Sequence, residues 1–138
     1  MTLGDQLLKR ALTDGETGLG NGMSLRLELE RAIPRAERYG FPLGLVRVRC
    51  AAPRAEAATA LFRHLAAGLR RSDFLARTGE REVTLLLTHD DAEEAPQVID
   101  RLTRLCDEFR ALPQGAAVGT EIRSELETEN LGSLLERI

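Results

Sequence analysis

Tryptophan is absent from this chain of 138 residues, and only one tyrosine and four phenylalanines stand in for it. Leucine, valine, isoleucine and alanine must therefore fill any core. Lysine is nearly absent too: Lys9 is the only one, so the positive charge is almost wholly arginine. No apolar run approaches the roughly 20 residues that a membrane-spanning helix needs, and no signal peptide is present, so no membrane partner is expected. There are two cysteines, Cys50 and Cys106, and two isolated histidines, His64 and His89. None of them falls in a Cys-x-x-Cys or other zinc spacing. Both cysteines lie on apolar faces, which reads as small buried hydrophobes in a reducing cytoplasm. Ser-His-Asp, Cys-His and paired-carboxylate constellations are missing, which argues against an enzyme of those classes.

The length suits one domain, 1–138, able to bury a core without disulfides or metals. The net charge is −3, from 19 basic and 22 acidic residues with no block of either sign. That balance lacks the basic footprint of a nucleic-acid binder. Two readings of the arginine bias stand side by side. It follows genome composition, or it serves bidentate capture of phosphate and guanine edges.

Leu3, Leu7, Leu8 and Ala11 recur at helical spacing and predict a leading helix over 1–13. The glycine-rich stretch from Asp14 to Asn21 must turn. It reads as a structural turn, with phosphate cradling as the alternative. Helical spacing returns over 23–39, interrupted by Pro34, where a kink or an early end is expected. Residues 43–50 alternate, with Val46, Val48 and Cys50 on one face and Arg47 and Arg49 on the other, so a strand is predicted. A helix over 54–70 follows, then two strands, 74–78 and 82–87, around a turn at Gly79-Glu80-Arg81. A helix is predicted over 91–112, with Asp91, Glu93 and Glu94 suiting the positive end of its dipole. A last strand candidate spans 116–122, and Leu131, Leu134 and Leu135 suggest a short closing helix. The order predicts an α/β (α+β) fold, a mixed central sheet flanked by helices.

Two segments go further than periodicity. Residues 70–83 read Arg-Arg-Ser-Asp-Phe-Leu-Ala-Arg-Thr-Gly-Glu-Arg-Glu-Val. This resembles the signature of GGDEF domains, the bacterial diguanylate cyclases: Arg-x-x-Asp, three residues, Arg, one residue, then Gly-Gly-Asp/Glu-Glu-Phe and an apolar strand. Asp14, Thr17, Gly18, Leu19 and Asn21 also match the family's entry motif, Asp-x-Leu-Thr-Gly-Leu-x-Asn-Arg, although Glu16 replaces a leucine and Gly22 the arginine. The resemblance covers residues 12–138 and implies the family's palm-like fold. The family's usual C-terminal Ala-Asp-x-Ala-Leu-Tyr-x-Ala-Lys has no counterpart after Leu135, so a truncated C-terminus is expected.

The resemblance also implies what should do chemistry. The five signature positions hold Gly79, Glu80, Arg81, Glu82 and Val83. In the family, magnesium binds a strand-end aspartate and the acid of the signature turn; here these positions fall on Arg49 and Arg81. Arginine has no lone pair to offer and stays protonated, so no metal or other cofactor is expected. Glu80 replaces a glycine that lets the backbone approach nucleotide. The guanine-recognising loop has no counterpart between Arg49 and Arg70. A catalytically inactive domain, not an enzyme, is the expectation.

What the resemblance retains is Arg70-x-x-Asp73, the family's inhibitory product site for cyclic di-GMP, with the second arginine of that site falling on Arg101. The alternative is local: Asp73 a turn residue, Arg70 a helix C-terminal cation and Arg101 solvated. Arg71 and Arg77 assist or are exposed; Arg47, Arg49 and Arg81 converge on an anion or pair with carboxylates. The expectation is a cytoplasmic receptor for cyclic di-GMP that modulates a partner signalling protein, with a homodimer left open. The alternative is a nucleotide-independent interaction domain built on the same scaffold.

Overall fold

The structure, a computed structural model, describes residues 2–88 and 95–138. The expected helix start at Asp91, Glu93 and Glu94, and His89, lie outside the described residues. The elements run α1 (Leu3–Leu12), β1 (Gly20–Asn21), α2 (Gly22–Tyr39), β2 (Leu43–Ala51), α3 (Ala55–Gly68), β3 (Phe74–Gly79), β4 (Glu82–Thr88), α4 (Ala95–Arg110), a 3-10 turn (Pro113–Gly115), β5 (Gly119–Glu127) and a 3-10 segment (Leu131–Arg137). Among the described residues five strands form one mixed sheet in the order β1-β3-β4-β2-β5, with the β1–β3 pair parallel and the other three antiparallel.

Alternation along β2 decides which layer each face of the sheet meets. Val46, Val48 and Cys50 join Val83, Leu85 and Leu87 of β4 beneath α3 and α4. Leu43 and Leu45 face the other way, with Ala76 and Leu86, against α2 and the C-terminal 3-10 segment. Leucine and valine dominate both layers, with Phe62 and Phe109 the aromatic members of the first. Both cysteines are buried and unpaired. Burial pushes both thiols above the ordinary cysteine value.

Two expectations about elements need correction, and a third, at Pro34, loses one of its two alternatives. Pro34 does not end α2, which is helical from Gly22 to Tyr39. Leu25, Leu29, Ile33 and Ala36 bury one stripe while Pro34 lies on the exposed side, so packing outweighs a missing donor. The helix closes at Gly40, whose φ of 74° is the left-handed conformation that glycine adopts without strain. The last strand occupies Gly119–Glu127, not 116–122. Gly115 sits against the Phe109 carbonyl, and Val118 donates to the Gly115 carbonyl at 3.1 Å, so a turn takes up the residues assigned to a strand. The closing helix is a 3-10 segment, Leu131–Arg137, anchored by Leu131 and Leu134.

α1 stands apart. Its N-terminus has a capping box, Thr2 with Asp5, yet none of its residues is buried. Among the described residues no helix is long and apolar enough to cross a membrane.

Candidate functional site

The entry turn is built by its own side chains. The Asp14 carboxylate accepts from the Thr17 backbone N–H at 3.0 Å and from the Thr17 hydroxyl at 2.6 Å. Gly18, with a φ of 76°, lets the Asp14 N–H reach the Leu19 carbonyl at 2.7 Å. Asn21 caps α2 through Ser24 N–H at 3.0 Å and donates to the Ala11 carbonyl at 2.7 Å. Every matching polar residue of the entry motif therefore has a local structural task.

That turn is pinned to β3 by Arg77. Its side chain is only 6% exposed, and one guanidinium nitrogen, Nη1, lies 3.3 Å from Asp14 and 3.0 Å from Glu16. The other, Nη2, donates to Thr59 of α3 at 3.2 Å and to the Glu80 carbonyl at 2.9 Å. The guanidinium carbon lies 5.4 Å from the centre of the Phe62 ring. Partial burial opposes ionisation of Asp14, but hydrogen bonds from Thr17 and Arg77 outweigh it and hold its carboxyl below the ordinary value. Arg77 is thus neither exposed nor free to assist a ligand. Asp14 and Arg77 belong to two separate motifs, and their opposite charges are the one hint in the sequence that they meet across 63 positions.

The signature turn lies beside the end of β2. Arg49 stands opposite Glu82, and the Cys50 N–H donates to the Arg81 carbonyl at 3.0 Å. Arg49 Nε is 2.9 Å from a Glu82 carboxylate oxygen, and the Thr78 hydroxyl donates to the other at 2.7 Å. Burial works against Glu82, yet these bonds and the nearby charges of Arg49 and Arg47 keep its carboxyl below the ordinary value. Arg81 turns away and donates to the Arg54 carbonyl at 3.3 Å, while Arg47 pairs with Glu125 at 3.7 Å. Arg47, Arg49 and Arg81 therefore have separate carboxylate and carbonyl partners and do not converge on one anion site, although Arg47 Nε is itself buried with no hydrogen-bond partner among the described residues. The donor set here does not fit a divalent cation. Two of the positions are guanidiniums, and the one carboxylate between them is already engaged. Among the described residues no group of three or more His, Cys, Asp or Glu could hold a metal ion.

At the opposite end of β3, roughly 17 Å away by strand rise, Arg70, Asp73 and Arg101 come together. The loop after α3 turns between Arg70 and Asp73: the Arg70 N–H donates to Asp73 Oδ2 at 2.8 Å, and the Asp73 N–H to the Arg70 carbonyl at 3.0 Å. Asp73 is therefore a turn residue, and its side chain is 3% exposed. Two guanidiniums stand off it at equal distance: Arg70 Nη2 lies 3.8 Å from Oδ1, and Arg101 Nη1 of α4 lies 3.8 Å from Oδ2. Both separations are ion-pair distances, too long for hydrogen bonds. Arg101 Nη1 is buried with no hydrogen-bond partner among the described residues, although its side chain is 30% exposed overall.

The sequence matches no family model and no curated protein. Solved structures do match the fold. The coiled coil and GGDEF domain of DgcB from Caulobacter crescentus, in complex with c-di-GMP, superposes with a TM-score of 0.75 at 20% identity, over 96% of this chain and 79% of that one. A sensory box/GGDEF family protein from Caulobacter crescentus gives 0.63 at 26% identity, over 83% of each chain. The diguanylate cyclase SiaD from Pseudomonas aeruginosa, in complex with its activator SiaC, gives 0.71 at 20% identity, over 98% of this chain and 58% of that one. The mixed sheet, its flanking helices and the hairpin carrying the signature turn thus give this chain the fold of the GGDEF diguanylate cyclase domains.

Proposed function

We propose that this domain is a receptor for cyclic di-GMP that turns over no GTP, and that ligand binding changes its affinity for a partner signalling protein. The observation that carries the reading is the trio at the start of β3. Two guanidiniums flank one nearly buried carboxylate at ion-pair distance, and one of their nitrogens, Arg101 Nη1, is buried with no hydrogen-bond partner among the described residues. A buried donor without a partner is costly. A guanine base or a phosphate between Arg70 and Arg101 would satisfy it bidentately. The Asp73 carboxylate would accept from a guanine amide and amine. One of the similar structures, the GGDEF domain of DgcB, supports the ligand, having been solved in complex with c-di-GMP.

The absence of turnover rests on charge. Phosphoryl transfer needs a metal to neutralise triphosphate and activate the attacking hydroxyl, and Arg49 and Arg81 occupy the positions where the resemblance places its ligands. Ligand occupancy would act on a partner by linkage, through a difference in affinity between bound and free states.

Titration calorimetry with cyclic di-GMP tests the receptor. Binding is expected, with Arg70→Ala and Arg101→Ala each lowering affinity at least tenfold, about 1.4 kcal/mol. A parallel incubation with GTP and magnesium is expected to yield no cyclic di-GMP, and measurable product would overturn the inactive reading. No binding heat would favour the second reading, an interaction domain independent of nucleotide. One observation speaks for that reading: Leu3, Leu7 and Leu8 line an exposed stripe on α1.

A further inference from the structure

The contacts between α3 and α4 form a line that ends at the trio around Asp73. His64 Nε2 lies 3.4 Å from a Glu108 carboxylate oxygen, Gly68 meets Leu105, and just beyond α3 Asp73 faces Arg101. The two helices therefore run antiparallel, and Arg101, Leu105 and Glu108 recur at helical spacing on one face of α4. Gly68 is the last residue of α3, and only Leu69 separates it from Arg70. Its backbone does not call for glycine, because the glycines of positive φ among the described residues are Gly18 and Gly40. Alanine would be the better helix former. Space accounts for the choice. A Cβ at position 68 would overlap Leu105 Cδ2 and lie 2.9 Å from Cδ1 and 3.1 Å from Cγ. Rotation about χ2 moves the two Cδ atoms of Leu105 but leaves Cγ in place. Leu105 is 8% exposed and packed in the core beneath these helices, so it has little room to retreat.

We propose that Gly68 is a positioning residue of the cyclic di-GMP site, its missing side chain setting the gap between Arg70 and Arg101. The inference rests on the receptor reading above. A ligand held by both guanidiniums needs them at a fixed span, and they come from different elements: Arg70 from the loop after α3, Arg101 from α4. Those elements are tied together where Gly68 meets Leu105, just before Arg70 and one turn after Arg101. A methyl group there must displace Leu105 or push α4 off α3. Hydrogen bonds along the helix carry a shift at Leu105 back by one turn to Arg101. Arg101 Nη1 already stands 3.8 Å from Asp73, near the limit of an ion pair. A displacement of about 1 Å would part them and widen the span that a guanine or phosphate must bridge.

Titration calorimetry with cyclic di-GMP should find the affinity of Gly68→Ala lowered roughly tenfold. Combining Gly68→Ala with Leu105→Ala makes room for the added methyl group. The double variant should bind within about twofold of the parent, yet melt at a lower temperature, because a buried leucine is gone. Recovered binding in a less stable chain separates positioning from a general loss of folding. A crystal structure of Gly68→Ala without ligand reads the spacing directly, and Arg101 should stand further than 3.8 Å from Asp73. Parent affinity in Gly68→Ala, a double variant that binds no better than Gly68→Ala, or an unchanged separation would each overturn the proposal. A parent chain that gives no binding heat sinks the receptor reading instead, and the separation then decides the role of Gly68 by itself.

Discussion

Replacing Asp14 with alanine isolates the interaction that fastens the entry turn to the sheet. Arg77 would remain, its side chain 6% exposed, with Glu16 as its only carboxylate among the described residues, and Glu16 is 66% exposed. The Thr17 backbone N–H and hydroxyl would lose their shared acceptor as well. Removing one partner of a buried pair costs about 3–5 kcal/mol, because the remaining charge is stranded. Asp14 is itself 20% exposed, and water replaces part of what is lost, so the lower end, about 3 kcal/mol, is expected. That is a large share of the roughly 5–15 kcal/mol available to a domain. In urea, with a slope near 2 kcal/mol per molar, the unfolding midpoint should fall by roughly 1.5 M. Glu16→Ala is the internal control: its pairing is largely solvated, and about 0.5 kcal/mol is expected. An Asp14→Ala midpoint within experimental error of the parent, or a Glu16→Ala loss as large as that of Asp14→Ala, would refute the burial argument.

Acid should act through the same groups. Folded Asp14 and Glu82 both hold their protons less tightly than ordinary carboxylates. Their contribution is therefore complete above the unfolded values near pH 4 and is lost as pH falls through the lower folded values. Urea midpoints measured from pH 7 downward should stay level until about pH 4.5 and then drop, and Asp14→Asn should flatten part of that drop. Pro34→Ala restores a helix donor at an exposed position and should raise stability by about 1 kcal/mol or more, read as a higher melting temperature with unchanged helical circular dichroism.

Much of this domain follows from local pattern. The alternation of Val46, Val48 and Cys50 against Arg47 and Arg49 defines a two-faced strand, and the structure buries the first set under α3 and α4. Helical spacing marks α3, which ends at Gly68. Asp14 to Asn21 turns because its own side chains serve its own backbone. Such features depend on residues a few positions apart, so one chain read in order suffices. Pro34 and the start of β5 escaped that reading because long-range burial and a close backbone approach at Gly115 decided them.

The site divides in the same way. The Arg70–Asp73 turn is a local object, written in four consecutive residues and closed by their own backbone. That Arg101 reaches the same carboxylate depends on how α4 lies against the start of β3, and only the folded chain decides it. The burial of Arg77 between Asp14, Thr59 and Phe62 is likewise decided by packing. So are the separate partners of Arg47, Arg49 and Arg81. Side-chain type is fixed by sequence, but whether a guanidinium is a strut, a surface charge or a ligand contact depends on its distance to groups far along the chain.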